Sequence, residues 1–446
     1  MTLRPWTRLL IIGLGTLLVP LDTTVNLAFP SIVAAFGIAV PQIKWVVICY
    51  VGVHASLMLI CGRLGDLFGY RRVFLAGCAW SAAAFVMCAM APSYGWLLAG
   101  RAMQGVGAAL VLSVGPALAT GAFPPEARSR VLGYYTMIFG IGAALGPPLA
   151  GLLVARWGWS AVYAFRIPLA LVSFALAWAL PANRPGTAPR FDLLGGGLMV
   201  VATAALLVGL DQLRDLSIWI LPALALAVLA CWGFIHVERR QAAPLIALRH
   251  FADPRLGRAL IEAVGVNIAG FSILLLAPFL LTRMADLSPA ATGLLLAASP
   301  LGMVLAALVA ERIAARTGMM RLTRIGLGIT AMGLAILAGA TLSLPGLAAG
   351  MLIQGFGQGL FQVANFDQVT GSLPPQDRGV AGSLALLTRT FGLMLGATLL
   401  MLLMQTLAGG TAPGQIIAGI GGTYAAAALI PAFLLLIRRP PGLSRP

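Results

Sequence analysis

The side chains of this sequence that could do chemistry are the ionisable ones that interrupt long apolar segments. A charge in a hydrocarbon environment is costly, so an ionisable residue there is by default a candidate for handling ions or polar compounds. Three acidic and three basic residues lie inside such segments, namely Asp22, Glu262, Asp367, Arg101, Arg166 and Arg389. The chemistry open to this set is proton binding, ion pairing and hydrogen bonding.

Asp22 is the strongest candidate for a proton-binding group. It follows Arg8 by 14 residues, which is about 21 Å along a helix and places it well inside a bilayer. Asn26 follows four residues later and would share its helix face. We predict that Asp22 alternates between holding a proton and pairing with Arg101 or with a positively charged compound. The alternative is a purely structural ion pair or a hydrogen-bonded polar anchor.

Glu262, Asp367 and Arg389 are weaker candidates. Glu262 lies only four residues after Arg258 and could simply reach the membrane surface. Asp367 lies ten residues before Asp377, and either acid could help a cation to enter. Arg389 could pair with Asp367, or serve as a hydrogen-bond donor in helix packing.

The elements that must position these residues are membrane helices. The chain of 446 residues is 60% hydrophobic and only 9% charged, too apolar to cover a soluble protein with polar surface. Its apolar residues form blocks of about 20, the length of a membrane-spanning helix. This predicts an all-α integral membrane protein with fourteen transmembrane helices, near residues 8–33, 43–61, 73–91, 95–121, 131–154, 160–181, 193–211, 217–237, 259–281, 289–310, 322–342, 346–371, 380–404 and 417–437.

Basic residues alternate between the two sides of these segments. Of the 29 lysines and arginines, 22 lie in the tails or in one set of alternate loops, and only Lys44, Arg156, Arg214 and Arg283 lie in the other set. This is the positive-inside pattern, and it predicts a multi-pass protein with both termini in the cytoplasm. The net charge of +16 is thereby explained without nucleic acid as a partner.

The sequence also repeats itself at a constant offset of 250 residues. Residues 100–128 align without a gap with residues 350–378, so that Gln104 matches Gln354 and Gly105 matches Gly355. Parallel repeats of six helices are typical of secondary transporters. We therefore predict two six-helix bundles and two inserted helices. The predicted domains are residues 1–181, a linker with the extra helices over 182–258, and residues 259–446.

Metal and nucleotide chemistry find no support in the sequence. The five cysteines form no CxxC pair, the three histidines do not cluster, and no phosphate-binding loop of the GxxxxGK[ST] type occurs. We therefore expect no cofactor and no enzymatic activity. Without a nucleotide site, the energy source that remains for transport is an ion gradient, which we expect to be a proton gradient.

Four local sequences resemble those of one family of membrane carriers. Residues 21–30 read LDTTVNLAFP, residues 62–72 read GRLGDLFGYRR, and residues 100–107 read GRAMQGVG. The fifth segment carries a glycine and proline motif at Gly142, Gly146, Pro147 and Gly151. Together they resemble the major facilitator superfamily, and within it the fourteen-span drug:proton antiporter branch.

The resemblance implies roles for the loop after the second segment and for the fifth segment. The loop motif would form a cytoplasmic gating latch at Gly62, Arg63, Gly65, Asp66, Gly69, Arg71 and Arg72. The glycine and proline motif would pack helices tightly in an exporter. The chain departs from the family where Arg166 stands in place of a frequent asparagine, and where Ala315 replaces the second copy of the latch aspartate.

The resemblance further implies a proton-coupled multidrug efflux transporter that exports lipophilic compounds, cations among them, by alternating access. Its partners would be drug-like molecules, protons and membrane lipid. It would act as a monomer in the bacterial cytoplasmic membrane. Two alternatives stay open: a dedicated exporter of one metabolite, siderophore or antibiotic, and a membrane sensor that transports nothing.

Overall fold

The structure is a computed structural model, and it describes residues 4–121, 123–124, 128–181, 193–212, 218–240, 253–284, 287–341, 343–372, 378–410 and 412–437. Within these ranges the chain is helical, with turns and no strand. This agrees with the predicted all-α class.

The helices of the first part of the chain are α1 (Pro5–Leu17), α2 (Thr23–Phe36), α3 (Lys44–Phe68), α4 (Tyr70–Ala89), α5 (Tyr94–Thr120), α6 (Arg128–Trp157), α7 (Ala161–Ala164), α8 (Arg166–Ala177), α9 (Leu193–Gln212) and α10 (Ile220–Arg240). Those of the second part are α11 (Pro254–Met284), α12 (Pro289–Leu296), α13 (Ala298–Thr317), α14 (Met319–Gly339), α15 (Leu344–Gly371), α16 (Arg378–Ala408) and α17 (Pro413–Ile437). Short 3-10 turns cover Pro20–Asp22 and Val40–Ile43.

Ten helical segments in the described ranges are long and apolar enough to cross a membrane. Helix α15 is not among them, because glutamines such as Gln354 and Gln358 lower its mean hydropathy. Helix α9 is 20 residues long and carries no charged residue before Asp211, and Leu194–Leu206 is the apolar stretch found among its described residues. The structure therefore supports a multi-pass membrane protein, and the count of fourteen spans stays a prediction.

The chain divides into two compact units, residues 1–248 and 249–446. In the first unit, a core of buried aliphatic and aromatic side chains joins α1, α4, α5 and α6, with Phe74, Val111 and Tyr135 among its members. In the second unit, Ala306, Leu322 and Leu360 form part of a core that joins α13, α14 and α15. Each unit thus has its own interior.

The predicted repeat is visible in how α5 and α15 pack within their own units. A Cβ atom at Gly105 would lie 2.6 Å from the carbonyl oxygen of Tyr50 on α3. A Cβ atom at the matching Gly355 would lie 1.9 Å from the carbonyl oxygen of Ser299 on α13. Both glycines are therefore needed for backbone-to-backbone contact between equivalent pairs of helices.

The break between α1 and α2 shapes the surroundings of Asp22. Pro20 has no N–H group to donate and begins a single 3-10 turn that ends at Asp22. The Thr23 hydroxyl donates to the Pro20 carbonyl at 3.1 Å, and the Thr24 hydroxyl donates to the Leu21 carbonyl at 2.8 Å. These side-chain hydrogen bonds add to that of the Thr23 backbone N–H, which also donates to the Pro20 carbonyl, so the turn is held by its own polar groups.

Candidate functional site

Asp22 lies at the centre of a buried cluster of charged and polar side chains in the first unit. Arg101 on α5 binds its carboxylate in a bidentate way, with Nη1 2.7 Å from Oδ1 and Nη2 2.8 Å from Oδ2. Gln104, one turn further along α5, donates its Nε2 to Oδ1 at 2.8 Å. The structure thus brings together the predicted pair of Asp22 and Arg101. Their role in proton handling stays a prediction.

Arg101 is fixed by more than its carboxylate partner. Its Nε donates to the carbonyl of Val46 on α3 at 2.8 Å, and its Nη1 also donates to Gln104 Oε1 at 2.7 Å. Its guanidinium carbon lies 4.4 Å from the ring centroid of Tyr50, a cation–π arrangement. The side chain of Tyr50 stacks in turn on His54, with 6.0 Å between ring centroids. Arg101 therefore links α5, α3 and the break before α2.

Arg166, at the start of α8, is a second cation on the same carboxylate. Its Nη1 donates to Asp22 Oδ1 at 3.0 Å, and its Nε donates to the Val162 carbonyl at 3.0 Å. The guanidinium carbon lies 4.5 Å from the ring centroid of Phe85 and 5.4 Å from that of Tyr163. Sequence analysis recognised Arg166 as an intramembrane arginine but gave it no place in the site.

The charges of this cluster do not balance. Among the described residues, two guanidinium groups meet one carboxylate, and both arginines are almost completely buried, with exposures of 1% for Arg101 and 0% for Arg166. The Asp22 side chain keeps 15% of its surface exposed. The carboxylate is therefore the accessible member of an otherwise enclosed cluster with one excess positive charge.

Asn26 lies in α2 and is buried, with 9% exposure. Within the described part of the chain it adds no hydrogen bond to the carboxylate of Asp22. Asp22 is the residue directly before α2 and has helical dihedral angles, φ −64° and ψ −17°, and the predicted part of Asn26 in the site stays a prediction.

The glycine and proline motif of α6 packs on the break that carries Asp22. A Cβ atom at Gly146 would lie 1.8 Å from Thr23 Oγ1, and one at Gly142 would lie 2.7 Å from Pro20 Cγ. Gly151 is buried further along the same helix, and Pro147 lies within the helix without ending it. The motif thus supports the turn that positions the carboxylate.

The loop motif lies where α3 gives way to α4. Gly69 joins the two helices with φ 90° and ψ 133°, a backbone conformation that residues other than glycine rarely adopt. A Cβ atom at Gly65 would collide with Val114 Cγ1 at 2.6 Å, whereas one at Gly62 would lie 3.9 Å from Ser113. In the second unit Gly318 joins α13 to α14 with φ 81° and ψ 153°, so this part of the predicted repeat is also present in the backbone.

Arg71 binds the end of α8 rather than the aspartate of its own motif. Its Nε donates to the Ala177 carbonyl at 3.4 Å, its Nη2 donates to the Trp178 carbonyl, and its guanidinium lies over the Trp178 ring. Arg72 is exposed. The side chains of Arg63 and Asp66 lie outside the described part of the structure, so the predicted latch at Asp66 stays a prediction.

A row of amide side chains runs along α15 in the second unit, and two of its three glutamines stand at positions that are apolar in the first. Gln354 is fully buried, accepts a hydrogen bond from Ser299 at 2.9 Å and donates to Gln358 at 2.6 Å. One turn on, Gln362 donates to Asn267 on α11 at 3.2 Å. The residues that match Gln358 and Gln362 in the first unit are Ala108 and Leu112. Sequence analysis missed this row, although its spacing of four residues was a usable signal.

The three weaker candidates lie on separate helices of the second unit. Glu262 on α11 is buried at 2% exposure, Asp367 on α15 is exposed, and Arg389 on α16 is half-buried. Nothing in their placement tests the roles suggested for them. Among the described residues, no group of histidine, cysteine and acidic side chains could hold a metal ion.

The motifs, the repeat and the helical units agree with a match to a known family. A family model described as Major Facilitator Superfamily matches residues 12–238 and 263–446. The chain belongs to the major facilitator superfamily. The membrane-length helices of the structure agree with membership of this family of membrane transporters.

Relatives of this superfamily member include proteins named for drug efflux or export. The Multidrug resistance protein Stp of Mycobacterium tuberculosis is 33% identical over 290 residues, 64% of this chain and 54% of that protein. The Riboflavin transporter RibZ of Clostridioides difficile is 28% identical over 400 residues, 88% of this chain and 87% of that protein. The Tetracenomycin C resistance and export protein of Streptomyces glaucescens is 28% identical over 427 residues, 92% of this chain and 78% of that protein.

The alignment spans about half the length of Stp, but most of RibZ. Among solved structures, the peptide-transporter family member PepTSo gives a TM-score of 0.70 at 14% identity, covering 98% of this chain and 99% of that chain. The nucleoside transporter NupG gives 0.67 at 12% identity, covering 97% and 98%. These structural similarities support the major facilitator fold of the chain and do not indicate its substrate.

Proposed function

We propose that the protein is a proton-coupled multidrug efflux transporter that exports lipophilic, drug-like compounds by alternating access. The observation that carries the proposal is the partly accessible carboxylate of Asp22, held between two buried arginines inside a membrane transporter. The relatives named for multidrug resistance and antibiotic export support the direction of transport.

The mechanism follows from what protonation would change in the cluster. The ionised carboxylate accepts hydrogen bonds from Arg101, Arg166 and Gln104. A proton on Asp22 removes the negative charge that holds both guanidinium groups, so the contact between α5 and the break before α2 weakens. Two arrangements with different proton occupancy are the minimum that exchange across a membrane requires.

The free energy that drives such a cycle comes from the inward movement of protons, which has an electrical and a chemical contribution. A membrane potential contributes about 2.3 kcal/mol per charge per 100 mV. A tenfold proton gradient adds about 1.4 kcal/mol. We propose that no cofactor takes part, and that the partners are protons, the exported compound and membrane lipid.

We further propose the arrangement in the membrane that the charge pattern predicts. The protein would act as a monomer in the bacterial cytoplasmic membrane, cross it fourteen times as in the drug:proton antiporter branch, and keep both termini in the cytoplasm. The positive-inside distribution of its arginines supports this orientation.

The test is a panel of chemically unrelated toxic compounds given to cells that make wild-type protein, Asp22→Asn or the control Glu311→Gln. Glu311 lies exposed on α13, so its variant removes a carboxylate outside the cluster. We expect wild type and the control to protect against several compounds, and Asp22→Asn to lose protection while its amount in the membrane is unchanged. Protection by Asp22→Asn equal to wild type would refute the role of the carboxylate.

A dedicated exporter is the second candidate, because relatives carry the names of single compounds such as tetracenomycin C and riboflavin. The same panel separates the two proposals. Protection against one compound only would indicate a dedicated exporter. Protection against none would favour the non-transporting sensor.

A further inference from the structure

We propose that Arg166 makes this site select against cations, so that the exported compounds are uncharged molecules carrying acceptor oxygens such as carbonyl groups. The inference narrows the substrate class of the proposed function. It differs from the simplest expectation for a membrane-embedded aspartate, which is attraction of a lipophilic cation.

The first step is the charge of the cluster. With Asp22 ionised, Arg101 and Arg166 leave one positive charge in excess, and with Asp22 protonated they leave two. A further cation entering the site is repelled in both states, and the repulsion is strong where water is excluded. His54, which stacks on Tyr50 beside Arg101, can only add to this charge when it is protonated.

The second step is the occupancy of the carboxylate itself. Oδ1 accepts hydrogen bonds from Arg101, Arg166 and Gln104, and Oδ2 accepts one from Arg101. A cation could bind Asp22 only by displacing a guanidinium group. The displaced group would then be a buried charge without a partner, which is a strongly unfavourable state.

The third step is what the cluster can still offer to a ligand. Nη2 of Arg166 is buried and has no hydrogen-bond partner among the described residues. Arg166 has lost its contact with water, since its exposure is 0%. An arginine nitrogen only donates hydrogen bonds, so the vacant position suits an acceptor oxygen.

An anionic compound would satisfy the same donor but would couple to protons in the wrong direction. Protonation of Asp22 raises the positive charge of the cluster and would therefore strengthen the binding of an anion. Proton and anion would then travel together, whereas exchange requires that proton and substrate bind alternately. An uncharged compound avoids this conflict, because it can accept a hydrogen bond from Nη2 of Arg166 without adding charge.

The position of Arg166 allows the charge to be removed without emptying the cluster. Arg101 keeps its bidentate contact with Asp22, so Arg166→Asn leaves a balanced pair. Arg166→Lys preserves the charge and serves as the conservative variant. Arg156→Asn is the matched control, because Arg156 is exposed at the end of α6 and its variant removes the same charge elsewhere.

The experiment measures the binding of two fluorescent probes to purified full-length protein in detergent at neutral pH. The probes are N-methylacridone, which is uncharged and carries a carbonyl oxygen, and N-methylacridinium, which has the same ring system and a permanent positive charge. We expect wild type, Arg166→Lys and Arg156→Asn to bind N-methylacridone at least about tenfold more tightly than the cation. Arg166→Asn should bind the cation at least about fivefold more tightly than wild type does. In vesicles the same variant should gain efflux of the cation.

Two results would overturn the inference. One is equal binding of the two probes, or no binding of either, by wild type. The other is an unchanged preference in Arg166→Asn that is folded, as judged by its thermal unfolding. If that variant does not fold, the inference is tested by wild type and Arg166→Lys, both of which must bind the uncharged probe more tightly than the cation. Absence of efflux by wild type would instead contradict the proposed function, and the binding preference would still decide the role of Arg166.

Discussion

At the scale of single residues, the site depends on guanidinium geometry and not only on positive charge. Arg101 uses all three of its nitrogens, two on the Asp22 carboxylate and one on the Val46 carbonyl. Its planar group also covers the Tyr50 ring. A lysine carries the same charge on a single nitrogen and cannot reproduce this set of contacts.

We therefore expect Arg101→Lys to lower the free energy of unfolding by about 1–3 kcal/mol, because buried acceptors lose their donors. Thermal unfolding of the purified protein measures this change, and efflux assays should show a parallel loss. Arg156→Lys is the control, since that arginine is exposed on α6. An Arg101→Lys variant as stable and active as wild type would show that only the charge matters.

At the scale of elements, the break between α1 and α2 and the motif of α6 form one structural unit. The break turns the carboxylate of Asp22 toward α5, and Gly142 and Gly146 allow α6 to approach the break closely. The sequence showed the two motifs more than 100 residues apart, but it predicted one continuous first helix near residues 8–33, without the break. Their contact explains why glycine is needed at these positions of α6.

Gly146→Ala should destabilise the protein by about 1–3 kcal/mol, because the new Cβ would collide with Thr23. The matched control is Gly140→Ala on the same helix, where a Cβ atom would meet nothing within 4 Å. Thermal unfolding and efflux should both fall for the first variant and stay near wild type for the second. Partial recovery in the double variant Gly146→Ala with Thr23→Ala would locate the collision, and its absence would contradict this explanation.

At the scale of the whole molecule, the number of membrane spans depends on whether α9 and α10 cross the membrane. Helix α10 exposes a broad apolar surface, with Leu221 77%, Val228 68% and Trp232 64% exposed, as expected for contact with lipid. Helix α9 packs on α10 and on α3, and its 20 residues carry no charge before Asp211. Fourteen spans require that both helices cross.

Alkaline phosphatase fused after Trp219, between α9 and α10, should be active, because that enzyme matures only outside the cytoplasm. Fusions after Ile437 should be inactive, and a fluorescent protein at the same point should fluoresce. A fusion after Gly158 is the positive control, since Arg156 belongs to the predicted outer set of loops. An inactive fusion after Trp219 would reduce the count to twelve spans.

The sequence by itself determined the class of the protein and the residues most worth examining. A bilayer directly constrains the local composition of the chain, and this shows in the apolar blocks and the alternating basic loops. The repeat at an offset of 250 residues is visible by comparing the sequence with itself. Motif spacing likewise indicated Asp22, Arg101 and the glycines of α6. These features depend on neighbours along the chain, and they are therefore readable without coordinates.

Only the tertiary structure decided which of these residues meet. Arg166 lies 144 positions from Asp22, and its helix brings it to the same carboxylate. The amide row of α15 likewise gains its partner Asn267 from another helix. Such contacts depend on how helices pack, which no local pattern encodes. The excess positive charge at the site, and with it the substrate class proposed here, therefore became visible only in three dimensions.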